Sequence, residues 1–378
     1  MLVPRAVPLA LAATLLAAPA HAQTAPQRVK TGSGEVVVET VASGLENPWG
    51  LAFLPDGRLL VTERPGRLRT VGADGRLSAP LPGLPQIRAR GQGGLLDVVL
   101  DPRFAENRTL YLSFAEPRPE GEGGTSVLRA RLNAAGTALE GAGVIFRQEP
   151  AYRGGNHWGS RLVFDREGAL FVTLGDRYDL KDEAQDPGNH IGKVVRIRPE
   201  GGPAPGNPQK PGWAPEIWSI GHRNVQGAAL NPATGELWTA EHGARGGDEI
   251  NIPRRGLNYG WPVITYGRDY SGARIGEGTA KAGLEQPVLN WDPSIAPSGA
   301  AFYTGDRFPA WRGNLLVGAL AGQMLVRLTV EGDRITGEER MLESLNERIR
   351  DVRVGPDGLV YLLTDAPKGR VLRLRPAA

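Results

Sequence analysis

The chain contains no cysteine and only three methionines in 378 residues. Without cysteine there is no disulfide, no thiolate metal site, no thiol nucleophile and no Cys-x-x-Cys-His haem attachment. Charge of one sign is also lacking. The 44 Lys and Arg nearly balance the 41 Asp and Glu, and no basic run or basic helix points to nucleic acid. No Gly-x-Ser-x-Gly elbow is present, which argues against the common esterases, and no phosphate loop or dinucleotide fingerprint occurs. Four histidines follow residue 22 (His157, His190, His222 and His242), and their spacings match no zinc signature. Long patterns of helical period are almost absent, so a helical protein is excluded.

One apolar run stands out, at the start. Met1 to Ala22 carries a single positive charge at Arg5, an apolar stretch from Ala6 to Ala20, and the small-x-small ending Ala20-His21-Ala22. This predicts a secretory signal peptide cleaved near Ala22 and a periplasmic or secreted product; the apolar core is short for a membrane anchor. Beyond it no segment is apolar enough to span a bilayer. Gln23 to Gly34 is polar and reads as a flexible leader, with one domain over residues 35–378.

That domain is rich in turn formers, with 52 glycines and 31 prolines in the chain. One unit recurs, a turn with Asp-Gly or a close variant followed by a short apolar strand. The six strands start at Leu59, Leu110, Leu170, Leu237, Leu315 and Val360, which are 51, 60, 67, 78 and 45 residues apart. Six strand-based repeats of this size predict an all-β, six-bladed β-propeller. Two stacked β-sandwiches are the alternative, but no Pro/Gly-rich linker divides the chain. Glu35–Val41 and Arg370–Arg375 both read as strands and are expected to share one blade and lock the ring.

Polar residues crowd around the ends of these strands. His157 lies in Gly154-Gly155-Asn156-His157-Trp158-Gly159, where the glycines allow close approach of a ligand. It reads either as a general base or as a structural histidine. Arg348 and Arg350 alternate on an extended strand, so both guanidiniums point the same way. With Arg223 they suit a polyanion, or equally a surface salt-bridge strand. Asp248-Glu249 and Asn258-Tyr259-Gly260-Trp261 lie near a glycine loop and offer hard oxygen ligands for calcium, without EF-hand spacing.

Together these motifs resemble the soluble aldose sugar dehydrogenases, relatives of the soluble pyrroloquinoline-quinone (PQQ) glucose dehydrogenases. The likeness runs from Gly44-Leu45-Glu46-Asn47-Pro48-Trp49-Gly50 to Thr364-Asp365. It rests on Asn156-His157-x-Gly-x-Arg161, Gly221-His222-Arg223-Asn224-x-Gln226-Gly227, Asp248-Glu249-Ile250-Asn251 and Arg348-x-Arg350-Asp351. The resemblance implies that His157 is the catalytic base and that Arg223 acts on the reacting carbonyl of the quinone. Gln92, Asn224, Arg348 and Arg350 would join them in holding PQQ. The carbonyls of Gly243 and Ala244 would bind the calcium that touches the quinone. Glu249 and Tyr259, with Asp269 as an addition, would form a second calcium site. The substrate would be an aldose oxidised to a lactone, with electrons leaving to an external quinone, cytochrome or dye. The product would be a monomer or homodimer.

Three departures from the glucose dehydrogenase branch are visible: Asn156 replaces an acid, His242 replaces a glutamine, and Leu320-Ala321-Gly322-Gln323 lacks a cofactor-binding lysine. A cofactor-less binding module and a calcium-dependent propeller lactonase are the competing functions.

Overall fold

The computed structural model describes residues 25–377; the expected signal peptide lies outside them. Two strands, β1 (Gln27–Thr31) and β2 (Gly34–Leu45), precede a series of antiparallel sheets. Blade one holds β3 (Pro48–Phe53), β4 (Leu59–Glu63) and β5 (Arg67–Val71). Blade two holds β6 (Leu95–Leu100), β7 (Thr109–Pro117), β8 (Gly123–Leu132) and β9 (Leu139–Arg147). Blade three follows with β10 (Leu162–Phe164), β11 (Leu170–Thr173), β12 (Lys193–Ile197) and β13 (Ile217–Ile220). Blade four has β14 (Val225–Leu230), β15 (Leu237–Glu241), β16 (Asp248–Asn251) and β17 (Leu289–Trp291). Blade five has β18 (Pro297–Phe302), β19 (Leu315–Ala319), β20 (Met324–Glu331) and β21 (Arg334–Met341). Blade six combines β22 (Ile349–Val354), β23 (Val360–Thr364) and β24 (Gly369–Pro376) with β2 and β1.

The first strands touch in sequence around a circle, β3 to β6, β10, β14, β18, β22 and back to β3. This is the expected six-bladed propeller. The expected closure is present as well: β2 pairs with β24 from Val36↔Pro376 to Leu45↔Gly369. The leader differs from expectation. Gln27–Thr31 pairs with Val38–Gly34 as an edge strand, so most of the polar segment is ordered on blade six.

Every repeated strand seen in the sequence is the second strand of its blade. Local turn chemistry starts several of them. Asp56, Asp165, Asn231 and Asp357 each accept the backbone N–H two residues on, the Asx turn that replaces a backbone turn. The glycine that follows at 57, 168, 235 or 358 has a positive φ. The strands β4, β11, β15, β19 and β23 are buried at every residue, because each blade is packed on both faces. The core is accordingly a ring of apolar clusters between neighbouring sheets. Each buried Leu, Val or Phe contributes about 1.5–3 kcal/mol of hydrophobic stabilisation.

The axis is filled by charge. Arg161 is buried and sends Nε to the Gln226 carbonyl at 2.7 Å and Nη2 to the Arg350 carbonyl at 3.0 Å. Its Nη1 lies 2.9 Å from the Asp351 carboxylate, as an ion pair rather than an aligned hydrogen bond, and 3.3 Å from Asp97. Arg353 pairs with the same two aspartates at 2.6 and 2.9 Å. Asp97 also accepts the Leu162 N–H, and Asp351 the Leu51 N–H. Two arginines and two aspartates thereby join the inner strands of blades one, two, three and six, and Arg161 reaches blade four.

Candidate active site

The inner strands do not start cleanly. Register shifts occur near the beginning of β3, β6, β14, β18 and β22. A bulge leaves one residue unpaired and re-aims its side chain. In β14 that residue is Gln226, and in β22 it is Arg350. Their side chains meet, with Arg350 Nη1 donating to Gln226 Oε1 at 2.9 Å.

His157 sits in the loop before β10 with a left-handed backbone, φ 49°. Its amide donates to Gln92 Oε1 at 2.8 Å, and its Nδ1 lies 2.6 Å from Asp176 Oδ1. Asp176 follows β11 and is buried. It also receives Trp261 Nε1 at 2.8 Å and the Tyr178 amide at 2.8 Å. Gly175 is required beside it, because a β-carbon there would overlap the His157 carbonyl. Burial lowers the His157 pKa, the hydrogen bond to Asp176 works against this, and the charge of Arg223 lowers it further, leaving it below the ordinary value. Burial pushes the Asp176 carboxyl up, but the His157 hydrogen bond and the nearby charges outweigh it, so the group stays below its usual range. The pair is a neutral imidazole with an ionised carboxylate. Nδ1 carries the proton and donates it to Asp176, so Nε2 is left as the basic atom.

Two neighbouring cavities open here. One, of about 260 Å3, is lined by His157, Asp176, Arg223, Ala244, Trp261 and Asp269 among others. The second, of about 300 Å3, is lined by Gln92, Asn224, Arg348 and Arg350, four of the residues expected from the resemblance to contact the cofactor, and also by Arg64 and His242. Arg350 and Arg348 share Asp365, at 3.0 and 3.5 Å. Burial pushes His242 down to about 3, and Nε2 donates to the Pro297 carbonyl at 2.8 Å, so this imidazole is neutral.

The donor set fits a polyanion. Arg223 and Arg350 are buried, and the Nε atom of each has no partner. In the second cavity Arg64, Arg348 and Arg350 outnumber its one carboxylate, Asp365.

The expected calcium ligands separate into two groups. The carbonyls of His242 and Gly243 both accept from Arg223 Nη1, so these oxygens already face a cation. Asp248 holds the Gly243 amide at 2.8 Å, and a β-carbon at 243 would overlap the carbonyls of Gly246 and Gly247. Ala244 faces the His157 cavity. Glu249 and Tyr259 do come together, with Glu241 and Gly243, around a space of about 10 Å3, the size that holds one water or ion. Burial first, then repulsion from Glu241, pushes Glu249 up to about 8. A cation would relieve this repulsion. Carboxylates and histidines alone form no metal cluster among the described residues, so backbone carbonyls would have to complete the shell.

Asp269 is not part of this group. It is half-buried at the rim of the His157 cavity, where Ser271 occupies its Oδ1. The expectation that it joins Glu249 and Tyr259 is not met. Sequence reading missed Asp176, Asp365, Glu241 and Arg64, although all four stand at or just after the second strand of a blade.

The chain matches the glucose/sorbosone dehydrogenase family over residues 45–373. It is 47% identical over 346 residues to the aldose sugar dehydrogenase YliI of Escherichia coli K12, covering 90% of this chain and 93% of that protein. The apo crystal structure of the E. coli soluble aldose sugar dehydrogenase superposes with a TM-score of 0.88 at 47% identity, over 90% of this chain and all of that one. The PQQ-bound aldose sugar dehydrogenase of Streptomyces coelicolor gives 0.76 at 31% identity, over 91% and 99%.

Proposed function

The chain belongs to the glucose/sorbosone dehydrogenase family, and from this we propose that it oxidises aldose sugars at the anomeric carbon to lactones, with PQQ and calcium as cofactors. The observation that carries the proposal is the buried His157–Asp176 pair on the wall of one cavity, beside a second cavity rich in arginine. A binding module of the same fold needs no oriented base. A lactonase would need a cage of free carboxylates at the axis, and Asp97 and Asp351 are paired there with Arg161 and Arg353.

His157 Nε2 takes the proton of the anomeric hydroxyl, while Asp176 fixes the tautomer and stabilises the imidazolium that forms. Arg348 and Arg350, with Arg64 in place of the missing lysine, would hold the carboxylates of the cofactor. Gln92 and Asn224 support this wall: Gln92 holds the His157 amide, and Asn224 Oδ1 accepts the Gly159 N–H at 3.2 Å. Arg223 lines the His157 cavity and supplies positive charge there. The bound quinone would accept the two electrons and the hydrogen lost from C1, polarised by calcium at Gly243 and Ala244. Calcium at Glu249 and Tyr259 would tie β16 to the connection that follows it. The sugar, and the external acceptor that takes the electrons on, would meet the protein in the periplasm or outside the cell.

The test is to load purified protein with PQQ and calcium and assay aldoses with a dye acceptor. We expect turnover and a spectral shift of the bound quinone. Absence of both with every aldose would sink the proposal.

A further inference from the structure

Among the described residues only two large hydrophobic side chains are left exposed, Tyr178 and Tyr270, at 42% and 57%. Both line the cavity of His157. They come from different blades. Tyr178 lies in the loop after β11, and Tyr270 in the long connection between β16 and β17.

The position of Tyr178 is fixed at some cost. Arg177 and Tyr178 are consecutive non-glycine residues with φ of 60° and 72°, a conformation that persists only where the surroundings impose it and that gathers at functional sites. Arg177 is the anchor. Its guanidinium stacks 3.4 Å over Trp158 and donates to the carbonyls of Gly154, Asn156 and Gly123. The Tyr178 amide donates to Asp176, the carboxylate that orients the base. The Tyr178 ring meets His157 edge-on, with centroids 5.3 Å apart. Tyr270 is held by a turn in which Gly272 donates to the Asp269 carbonyl, and paired bonds between Arg245 and Arg268 tie that turn to the Gly243–Ala244 loop. Two aromatic faces are thus kept in water beside the base by rigid elements, with the polar groups of Asp179, Lys181 and Asp269 around them.

Burying these rings in the protein would be the favourable alternative, so their exposure calls for a ligand. Such a ligand has an apolar face to cover an aromatic ring and hydroxyls to meet a polar rim. A pyranose has both, since its axial C–H bonds form one face and its hydroxyls the edge. Resting on the dehydrogenase reading above, we propose that Tyr178 and Tyr270 form the sugar platform. They stack the C–H face of a pyranose and present its anomeric hydroxyl to His157 Nε2. They are positioning residues, acting on affinity rather than on the proton transfer.

The experiment compares the wild type with Tyr178→Ala, Tyr270→Ala and Tyr178→Phe. D-glucose binding is read by saturation-transfer NMR without quinone, and KM and kcat are read with quinone and dye. Each alanine variant should raise KM about 3- to 10-fold with kcat little changed, and should weaken the transfer signal. Tyr178→Phe should restore affinity, because the ring and not the hydroxyl is used. Tyr270 is on an exposed turn, so its variant tests the platform even where Tyr178→Ala disturbs folding. Unchanged glucose binding in both alanine variants overturns the inference. Loss of glucose binding in the variants, in a protein whose wild type binds glucose but oxidises no aldose, supports the platform and rejects the dehydrogenase.

Discussion

At His157 the important choice is the tautomer. With Asp176 ionised and 2.6 Å from Nδ1, the lone pair is on Nε2, facing the cavity. Asp176→Asn keeps the shape but loses that preference, and we expect kcat to fall by about 10²–10⁴-fold with a small change in KM. The pH profile gives an independent sign. The base must be neutral, so kcat falls as pH drops through the His157 pKa. Burial and Arg223 place this below the usual histidine value. Asp176 is the group holding it up, so the acid limb should move lower still in the asparagine variant; a shift to higher pH would contradict the assignment. Arg64 offers a second test. Arg64→Ala should weaken PQQ binding to the apoprotein about tenfold, followed by the absorbance of the bound quinone, if its charge takes the part of the lysine absent at Ala321. Both residues show the limit of reading a chain. The glycine loop singled out His157 and the family resemblance gave it a role, whereas Asp176, 19 residues away, has no local signature and becomes significant only when the loop folds back on it.

At the scale of elements, the second strands were legible because each is a continuous apolar run, and in five of the six an Asx turn leads into it. The first strands were not, although they carry the site. Val225-Gln226-Gly227 and Pro297-Ser298-Gly299 are short, bulged and polar, and their regularity comes from neighbouring blades. Edge strand β1 was hidden for the opposite reason. It is mostly exposed, so it needs no apolar residues to mark it. The stretch from β16 into its connection to β17 was half legible. The family resemblance pointed to Glu249 and Tyr259 and added Asp269 to them, but the turn at Asp269 carries it to the His157 cavity. Glu249 provides the test. A buried acid pushed up to about 8 beside Glu241 is a liability without a cation. Glu249→Gln should therefore be more stable than wild type in chelator. It should also lose the stabilisation that calcium gives the wild type, about 3 kcal/mol at a hundredfold excess over Kd. Melting curves with and without calcium measure both.

At the scale of the whole molecule, the repeat and its closure could be read from six turns and two terminal strands. The contents of the axis could not. Arg161 was legible as part of a motif, but its partners Asp97 and Asp351 come from blades two and six and are brought to it only by the closed ring. Arg161→Met would leave two buried aspartates with Arg353 alone, and should cost about 3–5 kcal/mol in unfolding experiments. It should do so without a matching change in KM, since Arg161 lines neither cavity.

The filled axis also governs traffic. Asp97, Arg161 and Asp351 are essentially inaccessible to water, so no passage runs through the ring along them, and neither cavity can exchange with solvent that way. Under the proposed chemistry, lactone has to clear the neighbourhood of His157 before an electron acceptor can approach by the same route. Sugar and acceptor then take turns. Initial rates should give parallel double-reciprocal lines, and a high concentration of either substrate should slow the half-reaction of the other. Intersecting lines would mean that the two can be bound together, and that the propeller has a second opening to the quinone.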